Sequence, residues 1–124
     1  MSQYEDFHYL QECARARSIP QKELVKLAKH PNHFLRWVVA YYALTPSWLL
    51  EQLSRDPNWA VRYEVATNAN TQKVVVKHRL AFDEDPRVQR AAENNPLIDE
   101  QDKKDIFRMR VKKAYEGDFS FLRR

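Results

Sequence analysis

The chain has 124 residues, a net charge of +4, one cysteine (Cys13) and one glycine (Gly117). That length suits a single domain with a modest core, one cysteine excludes an internal disulfide, and one glycine excludes a Gly-rich phosphate loop and argues against a turn-rich β fold. No apolar run approaches the roughly 18 residues of a membrane span, and the first residues lack the basic-then-apolar order of a signal peptide, so a cytoplasmic location is expected.

In chain order, the apolar spacing and the turn residues predict helices over 3–17, 20–30, 33–43, 46–55, 59–68, 72–82, 86–94 and 99–116. Thr45-Pro46 reads as a cap followed by proline at the first helical position, and Thr71 reads as the cap of the helix at 72. Asn32, Asn58 and Asp85 precede the second helix of each of three pairs, while Asn68, Asn70, Asn94 and Asn95 separate the pairs.

The pairs repeat. Pro20, Leu24, Leu27 and Pro31 are matched in order, at one constant offset, by Pro46, Leu50, Leu53 and Pro57. Leu35-Arg36-Trp37-Val38-Val39-Ala40 matches Val61-Arg62-Tyr63-Glu64-Val65-Ala66 at the same offset. Two further series, Ala14/Ala40/Ala66/Ala92 and Cys13/Val39/Val65/Ala91, place small residues where helices approach closely. The third unit departs at its turn, where Pro86 lies beyond the position that this offset from Pro57 assigns. The alignment on Ala92 implies a local change that leaves the later packing in phase. One helical hairpin cannot bury its own apolar face, so hairpins in series are expected to stack around a continuous core.

The segments Leu53-Ser-Arg-Asp-Pro57, Val61-Arg-Tyr-Glu-Val-Ala66 and Asn68-Ala-Asn-Thr-Gln72 resemble the leucine-rich repeat variant family, which belongs with HEAT-like repeats; so do Leu27-Ala-Lys-His-Pro31 and Leu35-Arg-Trp-Val-Val-Ala40. The resemblance covers about residues 8 to 100. It implies an all-α chain: a right-handed α-solenoid of about four HEAT-like helix pairs with a C-terminal capping helix. As one domain over 1–124, it would comprise an N-terminal helix 3–17, repeats of about 18–43, 44–69 and 70–95, and a basic capping helix 99–116 with a wet outer face. Some members carry an iron–sulfur cluster on several cysteines, which one cysteine cannot supply.

Little in the sequence points to catalysis, and no cofactor or metal is expected. His30-Pro-Asn-His33 reads as an exposed turn, and Cys13 as a small core residue. The informative recurrence is an Arg followed by an aromatic residue, Arg36-Trp37 and Arg62-Tyr63, with Gln89 and Arg90 near the equivalent place. Such a ridge could grip a protein partner, or stack on bases beside phosphates. Alternatively, Arg36 and Arg62 pair with acids of neighbouring turns such as Asp56, and the rings pack between repeats. Trp59 reads as a wedge between repeats.

Charge is concentrated at the C-terminus. From Lys103 onward eight basic residues face three acids, a net +5, and Arg108, Lys112 and Lys113 are the candidate phosphate contacts there. The expected function is a non-enzymatic binding or adaptor module for a protein partner. Nucleic-acid binding through the ridge and the basic helix is the alternative. A HEAT-like DNA glycosylase-type enzyme is the third reading, with Glu64 as its acid by analogy of fold.

Overall fold

A computed structural model describes residues 18–118. These residues form seven α-helices and one 3-10 turn, with no strand among them. The helices are α1 (Gln21–Leu27), α2 (His33–Tyr41), α3 (Ser47–Leu53), α4 (Trp59–Thr67), α5 (Lys73–His78), α6 (Pro86–Glu93) and α7 (Glu100–Tyr115). The 3-10 turn, Leu80–Phe82, lies between α5 and α6. The helix expected at 3–17, with Cys13 and Ala14, lies outside the described residues.

Three hairpins pack in chain order: α1 against α2, α3 against α4, and α5 with its 3-10 turn against α6. The second helices make the main contacts between hairpins, α2 lying on α4 and α4 on α6. Leu24, Leu35, Val39, Leu50, Val61, Val65, Val76, Leu80 and Val88 form the buried core between the two rows. Ala40 and Ala66 have no exposed surface, as expected of small residues where helices approach closely.

The same turn chemistry starts each second helix. Asn32, Asn58 and Asp85 cap α2, α4 and α6, their side-chain oxygens accepting from the N–H of Phe34, Ala60 and Arg87 at 3.0, 2.8 and 2.8 Å. Two residues earlier, His30, Asp56 and Asp83 accept from the N–H of each cap residue in turn. His30 Nδ1 therefore serves this turn. These arrangements satisfy helix N–H groups that lack an intrahelical partner.

The structure corrects the caps expected for the first helices. Thr45 and Thr71 are buried, and their hydroxyls donate backwards, to the carbonyls of Val39 (2.6 Å) and Val65 (2.7 Å). They close the C-terminal end of the preceding helix, and α3 and α5 begin after Pro46 and Gln72 without side-chain caps. Asn68 and Asn95 do related work across hairpins. Asn68 Nδ2 donates to the carbonyls of Ala40 (2.9 Å) and Tyr42 (3.1 Å), and Asn95 Nδ2 to those of Ala66 (2.7 Å) and Asn68 (3.3 Å).

These bonds also correct the phase of the third unit. Asp56 corresponds to Asp83, Asn58 to Asp85 and Asn68 to Asn95, a common offset longer by a single position than that between the first two units. The extra residue falls between Val76 and Leu80, where the helix expected over 72–82 ends at His78 and resumes as the 3-10 turn. Arg79, with φ −122° and ψ −62°, is the break. Ala92 thus takes the place of Val65 rather than Ala66, and the later packing is shifted by a single position.

The last helix packs against α5. A capping box starts it: Asp99 accepts from the N–H of Asp102 (2.8 Å), and Asp102 from that of Asp99 (3.0 Å). Gly117, at φ +83°, ends it, with Gly117 N–H donating to Ala114 and Asp118 N–H to Lys113. Lys73 and Lys77 of α5 reach Asp102 at 2.7 and 2.9 Å, and Lys77 also reaches Asp105 at 2.8 Å. Lys73 first, and then Lys77, hold the Asp102 carboxyl well below the usual carboxylate range. Arg110 donates to the Ala81 carbonyl at 2.6 Å and pairs with Glu93. The outer face of α7 is less wet than expected. Ile106 and Met109 face the core, while Phe107, Val111 and Tyr115, at helical i, i+4 spacing, are exposed.

Candidate protein-binding surface

Successive second helices present equivalent positions side by side. Trp37 on α2, Tyr63 on α4 and Arg90 on α6 occupy one such row, in the register that the turn hydrogen bonds define. Trp37 is half-buried against the core, Tyr63 is at the edge of exposure and Arg90 is exposed.

Around Trp37 the rings form a stack along α2. Phe34 lies 5.8 Å from it at 12° and Tyr41 5.2 Å at 7°. Their i, i+3 and i, i+4 spacing puts all three on one face of the helix. On α4, Tyr63 meets Trp59 edge to face at 6.2 Å. Trp59 is a correction to the wedge expected between repeats. It stays more than one-third exposed, and the Arg87 guanidinium of the next hairpin covers its ring at 3.4 Å. Its link between hairpins is a cation–π contact at the surface.

Arg36 and Arg62 do not belong to this surface. Their side chains are only 15% and 11% exposed, and both point into the stack. Arg36 forks onto Asp56 at 2.7 and 3.2 Å and donates to the carbonyl of His30. Arg62 forks onto Asp83 at 2.8 and 3.2 Å and donates to the carbonyl of Asp56. Gln89 takes the corresponding place on α6 and donates to the carbonyl of Asp83. Planar guanidinium groups suit this work because they bind a carboxylate with two parallel N–H groups and retain further donors.

Arg108, Lys112 and Lys113 are carried on α7, which docks on α5. Their ion-pair and ring partners are Asp105, Glu116, Asp118 and Phe82, none of which belongs to the row of Trp37, Tyr63 and Arg90. The structure therefore divides the expected site residues into three sets: a surface row, two internal cross-links, and a basic helix packed elsewhere.

Grooves separate the second helices. The groove between α2 and α4 encloses about 590 Å³, with Trp37, Tyr41 and Tyr42 on one wall and Glu64 and Thr67 on the other. Its lining is predominantly carbon. Glu64 is partly buried there. Burial pushes its carboxyl above the usual range, opposed by hydrogen bonds from Thr67 and Trp37; the Thr67 hydroxyl lies at 3.3 Å. The groove between α4 and α6, about 400 Å³, is more polar and is lined by Tyr63, Arg90 and Asn94 among others. Phe34 and Tyr41 are additions that the repeat pattern does not single out, since Arg36-Trp37 and Arg62-Tyr63 carry it. Their spacing around Trp37 is the sequence signal that marks them.

Among the described residues, no group of three His, Cys, Asp or Glu side chains is placed to hold a metal ion, and no helix is long and apolar enough to cross a membrane. Comparison of the chain with family models, with curated proteins and with solved structures finds no match.

Proposed function

We propose that this chain is a binding module, a HEAT-like right-handed solenoid of the leucine-rich repeat variant type, which grips a protein partner along its row of second helices. The observation that carries the reading is an aromatic and arginine surface across three successive hairpins, with Phe34, Tyr41, Trp59, Tyr63, Arg87 and Arg90 exposed and Trp37 half-buried among them. Aromatic residues and Arg dominate the energetics of protein interfaces, and rings held by stacking lose little freedom when a partner docks. The internal use of Arg36 and Arg62 favours a protein over a nucleic acid, because it removes two guanidinium groups from the phosphate contacts that the other ligand requires.

The test is affinity capture from host lysate with wild type and with a Tyr41→Ala/Tyr63→Ala double variant. Neither ring belongs to the buried core, Tyr41 being well exposed and Tyr63 about one-third so, and the variant should stay folded with little change in melting temperature. A nuclease-resistant partner held by wild type and lost by the double variant is expected, with about 2 kcal/mol or more lost for each ring central to the interface. A partner retained by both proteins would place the functional surface elsewhere. Material lost on nuclease treatment, with a steep salt dependence, would favour nucleic acid.

A further inference from the structure

We infer that the groove between α2 and α4 is a pocket for a cationic side chain, a lysine or arginine of the partner, with Glu64 as counter-charge and the rings of Trp37 and Tyr41 as walls. This deepens the reading of the second-helix row as a protein-docking surface and rests on it. The argument begins with placement. Glu64 directly follows Tyr63 on α4, in the position that Val38 holds on α2 and Ala91 on α6. An apolar or small residue fills that position in the two flanking hairpins, so the repeat itself does not call for an acid there.

Its surroundings suit a cation better than any other ligand. The carboxylate has hydrogen bonds from Thr67 and Trp37, but forms no ion pair among the described residues. It stands on one wall of a groove whose opposite wall is aromatic. A neutral apolar ligand would desolvate Glu64 without compensation, and an anion would be repelled by it. An alkyl ammonium or guanidinium group satisfies both walls. Its stem lies along the apolar lining, its charge meets the carboxylate, and its methylene groups pack against the aromatic wall. The volume of about 590 Å³ admits a long side chain with some adjoining backbone. The next groove presents Arg90 and Asn94 and has the opposite sign, so it supplies an internal control.

The experiment is an NMR titration of the full chain with two probes of similar size, N-acetyl-lysine methylamide and N-acetyl-norleucine methylamide, observing indole and backbone N–H signals. The lysine probe should shift Trp37 and Glu64 and leave Tyr63 and Arg90 unmoved. It should bind about 3- to 30-fold tighter than norleucine, as one hydrogen-bonded ion pair at a partly buried carboxylate allows. Glu64→Gln should abolish that preference while leaving the melting curve intact. Equal shifts with both probes would overturn the cation pocket but leave an apolar docking surface standing. Absence of shifts at Trp37 with either probe would overturn the pocket outright.

Discussion

The carbonyls at the C-terminal end of α2 provide the sharpest test of how neighbouring hairpins depend on one another. That helix ends at Tyr41, so its last carbonyls have no intrahelical donor. The Val39 carbonyl receives the Thr45 hydroxyl, while those of Ala40 and Tyr42 receive the amide of Asn68 from the next hairpin. Asn68→Ala removes both bonds at once, and also the acceptor for Asn70 N–H at 2.9 Å. Each net hydrogen bond contributes about 1 kcal/mol, and a buried carbonyl left without a donor costs about 1–3 kcal/mol. Tyr42 is only partly buried and Thr45 N–H still serves its carbonyl, so the main penalty falls at Ala40. The expected loss is about 2–4 kcal/mol, a large share of a typical stability of about 5–15 kcal/mol. It should lower the melting temperature by roughly 10 °C. Asn68→Asp is the stricter variant. It preserves shape and the Asn70 contact but turns a carboxylate oxygen towards two carbonyls, so at neutral pH it should cost at least as much as alanine. Urea denaturation followed by circular dichroism measures both. Loss of less than about 0.5 kcal/mol in both variants would show that the Asn68 bridge does not hold the hairpins together.

Three other perturbations probe separate parts of the molecule. Ala66→Leu, at a site with no exposed surface between hairpins, should overpack the junction and cost about 1–3 kcal/mol in urea denaturation. Arg62→Ala strips the donors from Asp83 and from the Asp56 carbonyl, and should cost about 3–5 kcal/mol by the same measurement. Acid stability tests Asp102. Its folded pKa is depressed, so its contribution is fully present above the ordinary carboxylate value of about 4 and fades as pH falls below it. Asp102→Asn should therefore be less stable at neutral pH and show a shallower decline below about pH 4 in melts taken across that range.

The hairpins are readable in the sequence because Asn32, Asn58 and Asp85 mark the start of each second helix with side chains that serve one local purpose. The phase of the third unit is not. Ala91 and Ala92 are adjacent small residues, and either can be set against Ala66, so an alignment absorbs an inserted residue without sign of strain. That residue sits at Arg79, where a helical pattern tolerates a short 3-10 continuation. Thr45 and Thr71 mislead for a related reason. A threonine before a helix has the composition of a cap, but its hydroxyl can equally turn back to the helix just ended. At the surface, the repeated Trp37 and Tyr63 are legible, whereas Arg36 and Arg62 are ambiguous. An arginine recurring in phase has the same signature whether it reaches outward or across to the next hairpin. The deciding partners are Asp56 and Asp83, each in the turn of the following hairpin.

That arginine–aspartate relay has a consequence for how the array can grow. The middle hairpin offers an acid backwards and an arginine forwards, so its two ends are complementary, like the faces of a building block. Asp56 and Arg62 make 44–69 a complete link: a second copy inserted after Ala69 would receive Arg62 on its own aspartate and present its own arginine to Asp83. At the two limits the grammar changes. At the first turn His30 stands in the place of Asp56, so that hairpin offers no acid backwards. Downstream, Gln89 replaces the arginine, and its neutral amide needs no acid in a following hairpin. Among the described residues the relay therefore joins three hairpins by two ion pairs, one across each junction between consecutive hairpins.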